Sequence, residues 1–373
     1  MLNNFLYTII CHVFVIVMSL LFSGCKTEVK THLKIQDKNT FPAVDSADTS
    51  RPIRNDVACL IYHRFGDSRY PSTNISVKLF REQLQYLRDK QFQVLTFGEA
   101  AKLVYENKKI LGKAVVITVD DGFLTFKTNA LPLLKEFGYP VTLFVNTETI
   151  GAGEYLSWKD LSDMVKEGIE IGNHSHSHAY FLSHHEDKLS FFKQDVIKAK
   201  NLMNEKLGIE PKIFSYPYGE FDQDMMNEVR ALGFYYAAAQ NSGILCETSN
   251  PLAIPRFPIN EHFGELRTFV EKVNMKALRI KGNGAISTLY LLNPPELQIL
   301  FENDNYDLGR LQCFTQGGVP VFHIETDSLI HLVLTSNKKL TSRRVIYTIT
   351  VPSRKFNQWY WFSHLWINPS IKD

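Results

Sequence analysis

The amino-acid sequence predicts an α/β fold of the (β/α) barrel type, followed by an all-β, sandwich-like module. Between residues 56 and 274, apolar runs alternate with helix-like segments, and beyond residue 274 the pattern changes to short strands separated by turns. Alternating strands and helices favour a parallel sheet, and the number of repeats favours a barrel over an open sheet. In barrel enzymes, the reactive groups lie at the carboxyl ends of the strands.

Chain length indicates the number of domains, and net charge indicates whether a nucleic-acid partner is expected. The chain has 373 residues, of which 45% are hydrophobic, and its formal net charge is +2. This is enough for one large domain and a smaller one, and the apolar content is that of a globular protein. Because the sequence has no run of Lys or Arg and almost no net charge, we expect no nucleic-acid partner.

Residues 1–25 form an apolar segment that ends in LLFSGC. The small residues Ser23 and Gly24 before Cys25 are typical of a bacterial lipoprotein signal peptide. We therefore expect lipidation at Cys25, attachment to a membrane through the lipid, and a location in the periplasm or at the cell surface. An uncleaved membrane anchor is the alternative, because the first residues carry no Lys or Arg and the run is nearly long enough to span a bilayer. The polar residues 26–55 are predicted to be a linker.

The other cysteines do not form a recognisable framework. Cys11 lies in the apolar segment, and Cys59, Cys246 and Cys313 are scattered without the spacing of a metal site. An odd number of cysteines cannot form a complete set of disulfides, so one bridge is possible and none is required.

The expected barrel, residues 56–274, is built from repeated strand and helix patterns. Its strands are expected at 57–63, 92–96, 114–119, 141–145, 169–174, 213–219, 235–240 and 254–259. Its helices are expected at 77–91, from residue 96 onward, around 130–138, and at 158–167, 185–207, 225–233 and 264–273. Ser76 is the predicted N-cap of the first helix, and Thr96 with Glu99 matches a capping box for the second.

The expected accessory module, residues 275–373, reads as strands joined by turns. The strands are expected at 286–292, 297–303, 318–325, 329–336 and 343–351. The aromatic run WYWF at 359–362 could stack on a sugar ring, but aromatic strand residues are more often part of a core. We favour the core interpretation.

Acidic and histidine side chains stand where predicted strands end. Asp120 and Asp121 follow AVVITV, His174 and His178 belong to the run NHSHSH, and His63 ends the first strand. Adjacent carboxylates repel each other and lose hydration on burial, so a positive partner is expected. One Asp and two His around a metal would leave a position for water, as in catalytic sites, and the second carboxylate would be free to act as a base.

Each of these segments has an ordinary interpretation when it is taken alone. A DDG sequence is commonly a turn or a helix cap, a histidine-rich loop can be surface decoration, and YPYG is a turn sequence. Their occurrence in this order, at successive strand ends, makes the ordinary interpretations hard to sustain.

Together, the motifs resemble those of polysaccharide deacetylases of carbohydrate esterase family 4. The matching segments are Thr118–Gly122, His174–His178 and Tyr216–Gly219, and the resemblance covers about residues 56–272. LIYHRF at 60–65 is similar to the branch that deacetylates poly-N-acetylglucosamine. The resemblance implies a distorted (β/α) barrel and a metal-dependent hydrolase that removes acetyl groups from N-acetylated sugars of a polysaccharide. It does not explain the C-terminal module.

The resemblance also implies roles for individual residues. Asp121, His174 and His178 would bind a divalent metal, with zinc expected and cobalt or nickel as alternatives. Asp120 would take the proton from the attacking water. The backbone N–H of Tyr218 would help the metal to stabilise the oxyanion.

Substrate contacts follow from the same resemblance. His63, Tyr216 and Pro217 are predicted to contact the substrate, although His63 would also fit a hydrogen-bonded structural role.

The sequence departs from the family pattern at two places. Ser215 stands where the family has an arginine that orients the base, and Arg256 in IPRFPI is our candidate to replace it. The family's general-acid histidine has no clear match. His262 and His323 are the late histidines, and either fits an ordinary structural role, so the acid is left unassigned. His176 is expected to point away from the metal.

Two other functions are compatible with the sequence. The protein could be a carbohydrate-binding protein that keeps the fold and the ion without turnover, with the β module as its recognition surface. It could also be an esterase that removes O-acetyl groups from glycans, because the same attack by water cleaves esters. The presence of Asp120 with the complete ligand set favours catalysis.

Overall fold

The structure, a computed structural model, describes residues 53–183, 187–282 and 286–372. The predicted signal peptide, the lipidation at Cys25 and nearly all of the predicted linker lie outside the described residues. Among the described residues, no helix combines the length and the apolar character that crossing a membrane would require. The division of the folded part at residue 274 stays a prediction.

The strands and helices follow the predicted alternation up to residue 274. The strands of this part are β1 Val57–Tyr62, β2 Arg64–Phe65, β3 Asn74–Ile75, β4 Gln93–Leu95, β5 Ala114–Asp120, β6 Thr142–Val145, β7 Glu170–Asn173, β8 Ile213–Ser215, β9 Tyr236–Ala238, β10 Ile244–Leu245 and β11 Phe257–Pro258. The helices are α1 Val77–Asp89, α2 Phe97–Tyr105, α3 Leu131–Phe137, α4 Trp158–Lys166, α5 Lys188–Leu207, α6 Gln223–Ala231 and α7 Leu266–Val273.

Local capping explains where several helices begin and end. The Ser76 hydroxyl accepts a hydrogen bond from the N–H of Leu79, and the predicted capping box of Thr96 and Glu99 is present. Gly138 ends α3 at a φ of 68°, a conformation that costs glycine little. The predicted cap at Ser76 and the predicted capping box at Thr96 are confirmed.

Most of these strands form one curled sheet in the order β10-β1-β5-β6-β7-β8-β9. All neighbours in this order are parallel except β10, which runs antiparallel to β1. At the far edge, Ala238 of β9 forms a parallel bridge with Ile254, a few residues before β11, and β11 pairs with β1. The sheet therefore curls towards closure, which confirms the barrel-type α/β fold.

The strand order decides which side chains can meet. Strands β5, β7 and β8 are close neighbours, with only β6 between β5 and β7. Every residue of β1 and β5 is buried, as expected for parallel strands that are covered on both faces. The carboxyl ends of the three strands, at Asp120, Asn173 and Ser215, consequently lie at one edge of the sheet.

The C-terminal residues form two four-stranded sheets, which confirms the all-β, sandwich-like module. Their strands are β12 Lys276–Ala277, β13 Ile280–Lys281, β14 Glu296–Phe301, β15 Gln312–Thr315, β16 Pro320–Thr326, β17 Ile330–Ser336, β18 Arg344–Pro352 and β19 Trp359–Ile367. The sheet orders are β12-β19-β18-β15 and β13-β14-β17-β16. Apolar residues from strands of both sheets share one hydrophobic cluster, as in a sandwich.

One strand prediction in this module was wrong, and three short strands were missed. The apolar segment at 286–292 is not a strand; it forms a single bridge at Leu289, and Leu291 and Leu292 are exposed. Strands β12, β13 and β15 were not predicted, because two to four residues are too few for a clear alternating pattern.

The WYWF run forms the start of β19. Phe362 is buried in the core of the module, and Trp361 packs against the core of the barrel. This placement agrees with the core interpretation. Cys59, Cys246 and Cys313 are buried free thiols, so the described residues contain no disulfide.

Candidate metal centre and active site

Three predicted ligands meet at the carboxyl edge of the sheet. Asp121 follows β5, and His174 and His178 lie in the loop after β7. One ligand atom from each residue lies within 4.8 Å of the other two. Asp121 is far from the two histidines in the sequence, but β5 and β7 lie close together in the sheet, so the three side chains form one cluster.

The donor atoms of this cluster face one another. Oδ1 of Asp121 is 3.5 Å from Nε2 of His174 and 3.4 Å from Nε2 of His178, and the two Nε2 atoms are 3.2 Å apart. Nδ1 of His174 lies 2.7 Å from the carbonyl oxygen of Ser215. Because only a protonated Nδ1 can donate to that carbonyl, the bond leaves the Nε2 lone pair for the cluster.

This arrangement fits a divalent cation. Oδ1 of Asp121 is buried and has no hydrogen-bond partner, which is costly for a carboxylate oxygen. A cation between it and the two Nε2 atoms would satisfy all three. One carboxylate and two imidazoles suit zinc, cobalt or nickel.

The protonation of the cluster follows from burial and neighbouring charge. Burial would raise the pKa of Asp121, but the nearby imidazoles of His174, His63 and His178 hold it well below its usual range. Burial and the charge of His174 lower the pKa of His178 to about 4. Burial would lower the pKa of His174 as well, but the two carboxylates outweigh this effect and raise it. At neutral pH, His178 is therefore neutral and ready to bind a metal, whereas the neighbouring carboxylates favour the protonated form of His174.

The histidine loop is held in an unusual backbone conformation. Ser175 and His178 have φ angles of 69° and 51°, in the left-handed region that is uncommon for residues other than glycine. The carboxylate of Asp195 on α5 accepts hydrogen bonds from the N–H groups of His176 and Ser177, at 2.6 and 3.1 Å. Ser175 Oγ also accepts from the N–H of His178. Asp195 thus supports the loop, a role that the sequence pattern did not indicate.

The hydrogen bonds of Asp120 come from residues outside the ligand cluster. Nη1 of Arg256 donates to its Oδ1 and Nη2 to its Oδ2, both at 2.8 Å, and Ser215 Oγ donates to Oδ2 at 3.1 Å. Asp120 and Arg256 are both 0% exposed. Arg256 is itself fixed by Thr118 Oγ1 and by the carbonyl of Ala239, each at 2.9 Å.

The structure thus places Arg256 against Asp120, as we proposed, and Ser215 donates a further hydrogen bond to the same carboxylate. Burial acts to raise the pKa of Asp120, but the Arg256 guanidinium, together with the nearby His174 and His63, outweighs burial and lowers it, so the carboxylate is ionised. We had expected a metal to compensate the acidic pair. Asp120 has Arg256 as a partner of its own, and the candidate metal site lies at Asp121.

The predicted substrate-binding residues have different positions. His63 lies close enough to the cluster for its charge to lower the pKa values of Asp120 and Asp121. Tyr216 is fully buried in an aromatic cluster, stacked on Phe221, and Pro217 is buried as well. A sugar could not reach the Tyr216 side chain in this structure, so its predicted substrate role has no support from its position.

Tyr218 lies beside the metal ligands. Its ring centroid is 4.5 Å from that of His178, and its ring is half-buried. Its φ of 58° and ψ of 6° place it in the left-handed region. This backbone conformation sets the direction of its N–H, the group expected to stabilise the oxyanion.

The remaining histidines lie elsewhere. His323 is exposed on β16, where its Nε2 is 3.2 Å from Oε1 of Glu325, and His262 is exposed before α7. Nδ1 of His176 is bonded to Thr147, so this side chain is engaged outside the ligand cluster, as expected. In the described part of the chain, no contact joins His262 or His323 to Asp120 or to the ligand cluster.

Comparisons with known proteins point to one family. The family model for polysaccharide deacetylases matches residues 107–237, which include Asp120, the three candidate ligands and Tyr218 but not Arg256. The poly-β-1,6-N-acetyl-D-glucosamine N-deacetylase of Staphylococcus aureus (strain MRSA252) is 26% identical over 213 residues, covering 54% of this chain and 73% of that protein.

Solved structures show the same fold. IcaB from Ammonifex degensii is 25% identical with a TM-score of 0.54, over 58% of this chain and 97% of that one. The Streptococcus pyogenes deacetylase PplD is 20% identical with a TM-score of 0.54, over 59% of this chain and 98% of that one. The matched family model and the N-deacetylase relatives confirm the resemblance to the polysaccharide deacetylases of carbohydrate esterase family 4, and the solved structures show the shared fold.

Proposed function

We propose that this protein is a metal-dependent N-deacetylase that removes acetyl groups from N-acetylated sugars of a polysaccharide. The observation that carries the proposal is the pairing of two sites at one strand end. The ligand cluster of Asp121, His174 and His178 lies directly beside Asp120, which Arg256 holds in place. A metal-activated water and a base are the two components that hydrolysis of an amide needs.

Each residue has a distinct part in the proposed reaction. A divalent ion held by the three ligands would polarise the acetyl carbonyl and lower the pKa of water. Asp120 would accept the proton of the attacking water, at Oδ2, which lies 3.8 Å from Nε2 of His174. Arg256 and Ser215 hold this carboxylate in one orientation and keep it ionised until the reaction begins.

The oxyanion would be stabilised by the backbone N–H of Tyr218, a donor whose direction is fixed by the folded loop. His63, at the end of β1 and close to both carboxylates, would contact the substrate. The products would be acetate and a free amine on the sugar.

The proposed substrate is a polymer of N-acetylglucosamine. The Staphylococcus aureus relative is named for deacetylation of poly-β-1,6-N-acetyl-D-glucosamine, and the structural neighbour IcaB shares a quarter of its aligned residues with this chain. We expect the β-1,6-linked polymer to be a better substrate than a β-1,4-linked one.

We further propose that the enzyme acts outside the cytoplasm, anchored by a lipid on Cys25. The motif Ser23-Gly24-Cys25 at the end of an apolar run supports this proposal. In cells fed an alkyne-tagged fatty acid, the wild type should be labelled and move with the membrane fraction. The Cys25→Ser variant should lose the label; a labelled variant would contradict this assignment.

Acetate release tests the catalytic proposal. The purified protein would be offered N-acetylated β-1,6-glucosamine oligomers and O-acetylated oligosaccharides, each with and without a chelator. Release from the N-acetylated oligomers that stops with chelator and returns with added zinc, cobalt or nickel is the expected result. Release from O-acetylated sugars alone would favour the esterase, and no release from either would favour the binding protein.

A further inference from the structure

The C-terminal module reaches the active-site segment Tyr216–Glu220, which follows β8. Arg343, next to the start of β18, donates from Nε and Nη2 to the two carboxylate oxygens of Glu220, at 2.6 and 2.7 Å. Both side chains of this pair are almost fully buried. One end of the segment is therefore fastened to the module by a two-point ion pair.

Arg344 contacts the same segment at Tyr218. Its Nη1 donates to the Tyr218 carbonyl at 3.2 Å, and its guanidinium carbon lies 5.5 Å from the Tyr218 ring centroid. The Tyr218 ring stacks on Tyr180 at 3.7 Å between centroids, with an interplanar angle of 6°. The guanidinium also lies 5.9 Å from the Tyr180 ring, so Arg344 borders the whole stack.

The module supports a second active-site loop. Nε1 of Trp361 on β19 donates to the carbonyl of Ser242 at 3.0 Å, and Nδ2 of Asn241 donates to the carbonyl of Ser363 at 3.2 Å. The carbonyl of Asn241 accepts from the backbone N–H of Arg256 at 3.0 Å. The loop that the module holds is thus bonded to the arginine that orients Asp120.

Tyr218 needs such support because its backbone conformation is not favoured locally. A residue other than glycine in the left-handed region costs roughly 1–3 kcal/mol, and it persists where the surroundings hold it. The turn at Tyr216–Glu220 contains two short-range bonds, from the N–H of Gly219 to the Tyr216 carbonyl and from the N–H of Glu220 to the Pro217 carbonyl. Neither bond fixes the Tyr218 carbonyl, which is the group that Arg344 holds.

We propose that Arg344 is a positioning residue for the reaction, and that the C-terminal module is therefore a working part of the catalytic unit. By binding the Tyr218 carbonyl and bordering the Tyr218 ring, Arg344 holds the whole residue in its left-handed conformation, and the held residue keeps the adjoining peptide group, with the Tyr218 N–H, in place. This inference rests on the proposed role of that N–H as the oxyanion donor.

The test compares Arg344→Gln with Arg344→Lys and with Arg354→Gln, which changes an exposed arginine of the same module. In the metal-loaded enzyme, Arg344→Gln should lower kcat about tenfold, because a displaced oxyanion donor loses part of a 10²–10³-fold effect. KM should change by less than about twofold, since the donor acts mainly in the transition state. Arg344→Lys should recover most of the rate, and Arg354→Gln should behave as the wild type.

Two further measurements separate positioning from general damage. The inhibition constant of a phosphonamidate that mimics the tetrahedral intermediate should rise by the factor by which kcat/KM falls. In hydrogen–deuterium exchange, the peptide that contains residues 214–222 should exchange faster in Arg344→Gln, while the peptide that contains residues 114–122 should be unchanged.

The outcomes distinguish this inference from the proposed function. If the wild type releases no acetate, the proposed function fails, and the exchange experiment alone then decides whether Arg344 orders the segment. Unchanged exchange at 214–222, or a defect confined to KM, would overturn the positioning role. Faster exchange throughout the protein, without recovery in Arg344→Lys, would also overturn it.

Discussion

Asp120 and Asp121 are adjacent in the chain, yet their surroundings are opposite in character. Asp120 accepts three hydrogen bonds, two from Arg256 and one from Ser215. Oδ1 of Asp121 is buried without a donor and faces the Nε2 atoms of His174 and His178. The comparison shows that two residues of one type have opposite environments, which is what the proposed function needs if one carboxylate is a base and the other a ligand.

Backbone geometry separates the two side chains. Asp120 is the last residue of β5, and Asp121 leaves the strand with a φ of 75°. Successive side chains of a strand point to opposite faces, and the left-handed turn carries the second carboxylate towards the histidine loop. Each buried charge then finds a partner of its own, since an unpaired one would be costly. The partner of Asp120 is the fixed side chain of Arg256, whereas Asp121 faces two imidazoles that, in the proposed function, would share a metal ion with it.

The largest expected effect tests the Asp120 side of the comparison. Asp120→Asn removes the proton acceptor, and loss of a general base should lower kcat about 10³-fold. The amide is nearly the same size, so the ligand cluster should keep its metal. Steady-state kinetics and metal analysis of the same preparation check both points. If Asp120→Asn lost its metal, Asp120 would also be needed for metal binding, and the separate roles of Asp120 and Asp121 would be wrong.

Changing the neighbouring acid should have the converse effect. Asp121→Asn removes the charged ligand. Changes to residues that only contact a ligand lower metal affinity by up to about 100-fold, so loss of the ligand itself should lower it by more than that. Isothermal titration with zinc measures the affinity. The activity should return in part at high metal concentration, which Asp120→Asn should not show. If added metal restored the activity of Asp120→Asn and Asp121→Asn equally, the two residues would not have the different roles proposed here.

Arg256→Lys should have a smaller effect on the Asp120 side. Lysine keeps the positive charge but cannot bind both carboxylate oxygens in the plane of the guanidinium. We expect kcat to fall about tenfold, the lower end of the effect of changing an outer partner of a reactive group. Metal affinity should stay at the wild-type value. A rate equal to that of the wild type would show that orientation of Asp120 by Arg256 is not needed.

The sequence was sufficient to predict the residues at the strand ends. Asp120, Asp121, His174 and His178 follow apolar runs, and parallel strands in a barrel bring their carboxyl ends together. Arg256 was predicted as a replacement for the arginine that the resembled family has at the position of Ser215, with its place near a strand end as support. Periodicity and one rule of topology predicted where the side chains meet, and the resemblance supplied the roles of the residues.

Other parts of the site depend on pairings that local patterns do not show. The bond between Glu220 and Arg343 joins residues 123 positions apart, and neither side chain stands out in its own segment. Asp195 lies within a long helix, where an acidic residue is ordinarily solvent-exposed. Strand β10 has two residues, too few to show a period. In each case the missing information is a tertiary contact.

The smallest expected effect is the release of a proton from the histidine ligands next to Asp121 when zinc binds. A metal needs neutral imidazoles, and His178, with its pKa lowered to about 4 by burial and the charge of His174, is neutral from pH 5.5 upward. The pKa of His174 is raised above 6.5 by the two carboxylates, despite its burial, so this residue holds a proton in the metal-free protein at pH 6. Zinc binding at pH 6 should therefore release about one proton, and affinity should weaken about tenfold per pH unit towards acid.

The sign of this effect is fixed by the direction of the His174 shift. Without metal, the stability contributed by the His174 charge is fully present below pH 6.5 and is lost as the pH rises through the raised pKa. Titrations in buffers of different ionisation enthalpy count the protons released by wild type and by His174→Gln, which should release none. Asp121 stays ionised in this range and contributes no proton. Release of two protons by the wild type at pH 6 would mean that both imidazoles are charged, and the unequal roles assigned to His174 and His178 would be wrong.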